Sequence, residues 1–152
     1  SKAVGSQGGF VAGPKVVIDY LINRCRTVSY STALAPAAVL AAEAAIASIR
    51  GSSESRDRLQ RLSRRVRSEL GIHADEPENG VPIVPLVIGE DRRAVQISRE
   101  LADAGFYVPA IRPPTVAEGT ARLRLSLSAL HDDSMLDSLI EALQASLAAA
   151  PQ

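Results

Sequence analysis

The sequence has 152 residues, of which 46% are hydrophobic and 22% are charged, a balance typical of a globular domain with its own core. Its 17 basic and 17 acidic residues cancel, so the overall charge favours neither nucleic acid nor an anionic membrane as a partner. No apolar run reaches the roughly 18 residues that span a bilayer, and no charged-then-apolar leader opens the chain, so we expect a cytoplasmic protein.

The first part of the chain combines a lysine set among small residues with a predicted strand and helix. Lys2 stands in SKAVGSQGG, and residues 8–13 (GGFVAG) are predicted to form a short buried strand bounded by glycines. Pro14 suits the first turn of a helix that continues to about Arg24. Cys25 is the sole cysteine, which argues against a disulfide framework or a thiolate zinc site, so we expect no metal and a buried thiol.

Two helices are predicted next, one composed of small apolar residues and one charged. Pro36 begins the first, and Gly51 ends it. Ser31 and Thr32 precede it, and from sequence alone they are read as residues that cap its start. The second helix has an apolar stripe and a run of arginines, which is interpreted as a solvated face; a nucleic-acid surface is the alternative, disfavoured by the scarcity of aromatics. The stripe comprises Leu59, Leu62, Val66 and Leu70; the arginines are Arg58, Arg61, Arg64, Arg65 and Arg67.

The last third predicts a small α+β layer. After a polar loop at 73–80, residues 81–89 (VPIVPLVIG) predict a strand that Pro82 and Pro85 confine to a sheet edge. Asp91 is expected to cap a helix that Gly105 ends, and residues 106–111 to form a second strand. Residues 121–128 (ARLRLSLS) alternate strictly, and a final helix follows the caps Asp132 and Asp133. Two helices would then cover one sheet face, leaving a polar face that carries arginines.

Three arginines are candidates for ligand binding. Arg122 and Arg124 project from the alternating strand away from the predicted core, and Arg112 is stiffened by the two prolines that follow it. A guanidinium offers a planar fork to a carboxylate, and a strand holds it firmly. These residues alone leave two interpretations open, a carboxylate clamp or ordinary surface charge.

Two segments resemble one enzyme family. SKAVGSQGG resembles the lysine motif of the class II, fold type I pyridoxal-phosphate (PLP) enzymes, and AIRPPTVAEGTARLRLSLSALH is similar to the C-terminal region of their α-oxoamine synthase branch. The motifs stand in the family's order and separation, so the resemblance covers essentially the whole chain. Ala117 and Asp132 depart from residues common in the family. Neither position is one that the family uses in chemistry.

The resemblance implies roles for particular residues. Lys2 would bind PLP covalently and then act as the base, with small neighbours because the backbone passes close to the cofactor. Ser31 and Thr32 would contact the cofactor phosphate of a neighbouring subunit in a homodimer. Arg124 would grip the amino-acid carboxylate, and Arg112 the far carboxylate of an acyl substrate. Within the family the resemblance favours members that condense L-alanine with a pimeloyl thioester, carried on coenzyme A or on acyl carrier protein.

The implied fold is α/β, the C-terminal part of a fold type I transferase. Residues 1–38 would end the PLP-binding large domain, residues 39–71 would form a helical connector, and residues 72–152 the small α+β domain. The family's upstream cofactor contacts are not found in this sequence, so we expect the later part of a longer protein. Two alternatives stay open. One is another α-oxoamine synthase, forming aminoketobutyrate, aminolevulinate or a sphingoid base; the other is a non-catalytic interaction domain.

Overall fold

A computed structural model describes residues 2–72 and 81–149, so the predicted loop at 73–80 lies outside the described residues. The chain divides into two compact units, Ser1–Ser53 and Glu54–Gln152. This division falls within the predicted connector, and the predicted three-part division stays a prediction. In the described ranges no helix combines the length and apolarity needed to cross a membrane.

Residues 2–52 of the first unit form three helices, and no buried core is found among them. The helices are α1 (Lys15–Arg24), α2 (Arg26–Ser29) and α3 (Pro36–Gly51). The predicted bounds of α3 are confirmed, because Pro fits the first turn and the chain leaves the helix after Gly51. The helix predicted to follow Pro14 is also confirmed, although Val16 and Tyr20 on its apolar face are exposed. None of the described residues of this unit is buried.

The predictions for residues 8–13 and for Cys25 are wrong. Residues 8–13 form no strand and are exposed. An apolar run becomes a strand only where another strand supplies hydrogen-bond partners, and the strands in the described residues all belong to the second unit. Cys25 is half-buried rather than buried, and its Sγ lies 3.0 Å from Thr27 Oγ1. That hydrogen bond lowers the pKa of the Cys25 thiol.

The described residues of the second unit are built on a three-stranded antiparallel sheet. Helix α4 (Ser53–Glu69) leads to β1 (Ile83–Gly89), α5 (Asp91–Asp103), β2 (Ala110–Ile111), β3 (Ala121–Ser126) and α6 (Asp133–Ala148). The sheet order is β1-β3-β2, which confirms β1 as an edge strand. Side chains from the three helices and the sheet form one core, which includes Leu62, Val66, Val84, Ile97, Leu101, Leu123, Leu125, Leu136, Ile140 and Leu143.

The two faces of the sheet differ, but not as predicted. In β3 the alternation is confirmed, with Leu123 and Leu125 buried and Arg124 exposed. The outer face was predicted to be polar, and this is wrong for β1, where Ile83 and Val87 are 37% and 57% exposed. Since β1 carries apolar side chains on both faces, its pattern is that of a strand covered on both sides.

The helix ends show where local sequence signals decide a boundary. Helix α6 begins as predicted, because Asp132 Oδ1 accepts a hydrogen bond of 2.7 Å from the Met135 N–H, which lowers the pKa of Asp132. Helix α5 has Glu90, not Asp91, at its N-cap, without a side-chain cap. The predicted second strand shortens to Ala110–Ile111.

Several arginines of α4 bind other parts of the second unit. Arg58 donates to the carbonyls of Ala129 (3.1 Å) and His131 (2.9 Å). Arg65 is held by Glu69 and Asp137, and these bonds raise its pKa. These guanidinium groups therefore tether α4 to α6 and to the loop before it. The predicted solvated face is wrong for Arg58 and Arg65, which are half-buried.

Candidate functional site

Lys2 begins a tight turn at the start of the described chain. The Gly5 N–H donates to the Lys2 carbonyl over 3.0 Å, and Gly5 has φ of +63°. That backbone conformation is readily adopted by glycine and rarely by other residues. The small residues around Lys2, noted in the sequence, therefore shape the turn that presents the lysine.

The segment after this turn is attached to α3. Ser6 Oγ donates to the Ala38 carbonyl over 2.7 Å. Gly8 has φ of +110°, and a Cβ at that position would lie 2.5 Å from Leu34 Cδ1. Gly8 thus meets two requirements at once, an unusual backbone conformation and close approach to Leu34. Neither contact was predicted, since both join residues far apart in sequence.

A cavity of about 430 Å³ lies between the Lys2 segment and α3. It is lined by Lys2, Phe10 and Leu34 and by small and aliphatic residues of α3 such as Ala42 and Ile46. The volume lies within the range of small-molecule sites, which are mostly apolar with a few polar groups. A primary amine on a largely apolar wall is suited to bond covalently with a carbonyl compound.

Ser31 and Thr32 do not line this cavity and do not cap α3. Both are exposed, between α2 and α3. The N-cap of α3 is Ala35, which has no side-chain cap, so the capping interpretation is wrong. Contact with the phosphate of a neighbouring subunit's cofactor stays a prediction.

Arg124 and Arg122 share the outer sheet face but differ in their surroundings. Arg122 Nε donates to the Thr120 carbonyl over 3.1 Å. Arg124 is exposed, and within the described ranges its side chain forms no hydrogen bond or ion pair. Of the two guanidinium groups, that of Arg124 is the one left fully available to a ligand.

Arg112 lies apart from the outer face. It follows β2 and lines a separate cavity of about 550 Å³ together with side chains of α5. Those side chains carry both signs of charge, among them Arg92, Arg99, Glu100 and Asp103. The structure therefore does not bring Arg112 beside Arg124, and its expected role with an acyl carboxylate stays a prediction.

His131 has a structural position. Its Nδ1 accepts a hydrogen bond of 3.3 Å from the Ser128 N–H, at the turn before α6. This bond places His131 in the turn from which α6 starts.

Comparison with known proteins places the chain among PLP enzymes. Residues 1–143 match the family described as aminotransferase class I and II. The 8-amino-7-oxononanoate synthase of Methylococcus capsulatus is 48% identical over 93% of this chain, and that of Methylobacterium radiotolerans is 44% identical over 95%. The chain spans 37% and 38% of the length of these two curated relatives.

Solved structures share the fold. Serine palmitoyltransferase of Sphingomonas wittichii is 26% identical, with a TM-score of 0.80 over 94% of this chain and 37% of that one. The 8-amino-7-oxononanoate synthase of Francisella tularensis has a TM-score of 0.72 at 22% identity, covering 88% of this chain and 39% of its own. The α/β fold class and the resemblance to the α-oxoamine synthases, both predicted from the sequence, are confirmed.

Proposed function

The chain belongs to the class I and II aminotransferase family, and from that premise we propose that it is part of a PLP-dependent 8-amino-7-oxononanoate synthase. The reaction would join L-alanine to a pimeloyl thioester and release carbon dioxide and the thiol. Curated relatives of that name, 42–48% identical, support the substrate class. The structural observation that carries the proposal is the cavity lined by Lys2.

The residues around this cavity fit the aldehyde end of PLP. The amine of Lys2 is the group that bonds to an aldehyde, and the apolar wall suits a flat aromatic ring. When bound, PLP supplies an acceptor for the electron pair left on the amino-acid Cα after its proton is removed.

Lys2 would have two successive tasks. Its Nζ first holds the cofactor, and once the amino acid takes its place there, the same Nζ accepts the proton from Cα. Lys2 is exposed within this chain and begins the turn closed by Gly5, so its side chain has room to move between the two tasks. A base released at the reacting carbon is already placed for proton transfer.

Arg124 would orient the amino acid, and Arg112 the acyl chain. A bidentate pair between the Arg124 guanidinium and the α-carboxylate fixes which Cα bond faces the reacting groups. Support comes from the exposed position of Arg124 and from the absence of any polar partner in the described residues. Arg112 would pair with the distal carboxylate of the pimeloyl chain.

We propose further that the protein acts in the cytoplasm as a homodimer. Ser31 and Thr32 would donate hydroxyl hydrogen bonds to the cofactor phosphate of the neighbouring subunit. In support, both side chains are exposed and neither caps α3. A Thr32→Val variant should lower the affinity for PLP without changing the molar mass of the dimer measured by light scattering.

The test of the cofactor lysine uses the chain's two lysines. Borohydride reduction of the PLP-loaded protein, followed by peptide mass mapping, should find the pyridoxyl group on Lys2. Lys15 is the internal control, since its Nζ is paired with Asp19 at 2.5 Å and is not in the cavity. Lys2→Ala should abolish labelling and carbon dioxide release, whereas Lys15→Ala should preserve both. Labelling that persists in Lys2→Ala would refute the assignment.

A second candidate is a sphingoid-base-forming synthase, because serine palmitoyltransferases are among the structural neighbours. Substrate exchange separates the two candidates. Carbon dioxide released with L-alanine and pimeloyl thioester supports the first proposal, and release only with L-serine and palmitoyl-coenzyme A supports the second. No PLP-dependent visible absorption at all would favour a non-catalytic interaction domain.

A further inference from the structure

We propose that Pro85 is a positioning residue for Arg124, restricting its side chain so that the guanidinium faces a substrate carboxylate. The inference rests on the proposed function, which supplies that carboxylate. It starts from the register of the sheet, in which Pro85 of β1 is directly opposite Arg124 of β3.

The hydrogen-bond pattern shows that Pro85 and Arg124 form a non-hydrogen-bonded pair, the type of antiparallel pair in which the side chains are closest. The Leu127 N–H donates to the Pro82 carbonyl over 2.8 Å, so the Pro82 and Leu127 pair lies on the hydrogen-bonded positions of the ladder. Positions alternate along an antiparallel pair, which puts Pro85 and Arg124 on non-hydrogen-bonded positions. The Arg124 N–H is consistent with this assignment, because it points away from β1 and donates to the Pro109 carbonyl over 3.0 Å. At such positions the Cα atoms are about 4.5 Å apart and the side chains closest.

A proline suits this position for two reasons. Its nitrogen faces away from β3, on the side of β1 that pairs with no strand among the described residues, where no ladder donor is required. Its ring is rigid and apolar, and it stands on the same face as the aliphatic stem of Arg124, which removes rotamers that the stem would otherwise sample. The side chain of Arg122 is instead held by the hydrogen bond that its Nε donates to the Thr120 carbonyl. Among the described residues the guanidinium donors of Arg124 thus stay free, while the sheet limits where its side chain can go.

The experiment compares two prolines of the same strand region in the PLP-loaded protein that contains this chain. Binding of L-alanine and of ethylamine, which lacks the carboxylate, is titrated through the cofactor's visible spectrum. Pro85→Ala should weaken L-alanine binding about 3- to 10-fold, the effect of freeing one long side chain, and leave ethylamine binding unchanged. Pro82→Ala is the matched control, because it is opposite Leu127 instead. Pro85→Val, which keeps an apolar branched side chain, should retain most of the affinity.

A double-mutant cycle separates positioning from general stability. In an Arg124→Ala background, Pro85→Ala should have no further effect on L-alanine binding. Equal losses for L-alanine and ethylamine, or a loss that persists without Arg124, would overturn the inference and leave the proposed function standing. If the wild type binds neither ligand, the proposed function fails and the inference falls with it.

Discussion

Replacing Gly8 by alanine tests whether the loop conformation creates the Lys2 cavity. Gly8 has φ of +110°, a region that residues with a Cβ enter at about 1–3 kcal/mol. The new Cβ would also meet Leu34 Cδ1 at 2.5 Å. Leu34 is 42% exposed, so its side chain can turn aside at about 0.5–1.5 kcal/mol. Strain in the backbone is therefore the larger effect.

The measurable result is weaker cofactor binding. If the strain is relieved by rearranging the loop, the cavity that includes Lys2 changes shape, and PLP affinity should fall at least about tenfold, since 1.4 kcal/mol corresponds to a factor of ten. The assay is a PLP titration followed by visible absorption, paired with thermal unfolding of the PLP-free protein.

Two control variants make the reasoning refutable. Gly9→Ala should be nearly neutral, because no atom lies within 4 Å of the added Cβ and the backbone of Gly9 is not in the positive-φ region. Adding Leu34→Ala to Gly8→Ala removes the clash but not the backbone strain, so less than half of the loss should be recovered. Equal PLP affinity in Gly8→Ala and Gly9→Ala would refute the link between loop and cavity, and full recovery in the double variant would refute the dominance of backbone strain.

Three further predictions concern the second unit. The pKa of Asp132 is lowered in the folded state. The stability that the Asp132 carboxylate contributes is therefore complete above its unfolded pKa of about 3.9 and is lost as the pH falls through its folded pKa. Asp132→Ala should accordingly reduce the fall in the free energy of unfolding that the wild type shows at acid pH. Arg93 donates to the carbonyl of Ser146 in α6 and to that of Ala149, the C-cap of α6, the latter over 2.7 Å. Arg93→Ala should therefore lower the free energy of unfolding in urea by about 1.5–3 kcal/mol, whereas Arg99→Ala, at an exposed position, should change it little. Leu123→Ala should cost about 2–5 kcal/mol in the same assay, and Leu130→Ala, 91% exposed, about 0.5 kcal/mol or less.

Elements with strong local signals were predictable from the sequence. The bounds of α3 follow from Pro36 and Gly51, and the start of α6 from Asp132, because each signal acts through groups within four residues. The alternation of β3 and the edge position of β1 follow from side-chain spacing and from proline chemistry, which are equally local.

Features that depend on distant residues were not predictable in the same way. The strand expected at 8–13 does not form, since none of the described strands pairs with it. The residues of that segment cannot by themselves indicate whether a partner strand is present. Ser6 and Gly8 acquire their roles from Ala38 and Leu34, about thirty positions along the chain. The same holds for Arg124, whose sequence neighbours do not reveal that Pro85 is opposite.

Pro85 of β1 also bears on how molecules of this protein contact one another. An exposed sheet edge presents a row of unpaired N–H groups on which a second chain can extend the sheet, the first step of ordered aggregation. In β1 the outward-facing nitrogens are those of the non-hydrogen-bonded positions, and Pro85 occupies the middle one, between Ile83 and Val87. A foreign strand would thus find a missing donor at the centre of this edge, between two apolar residues. Pro85, which lies opposite Arg124, therefore also protects the outer edge of β1 against intermolecular β-pairing.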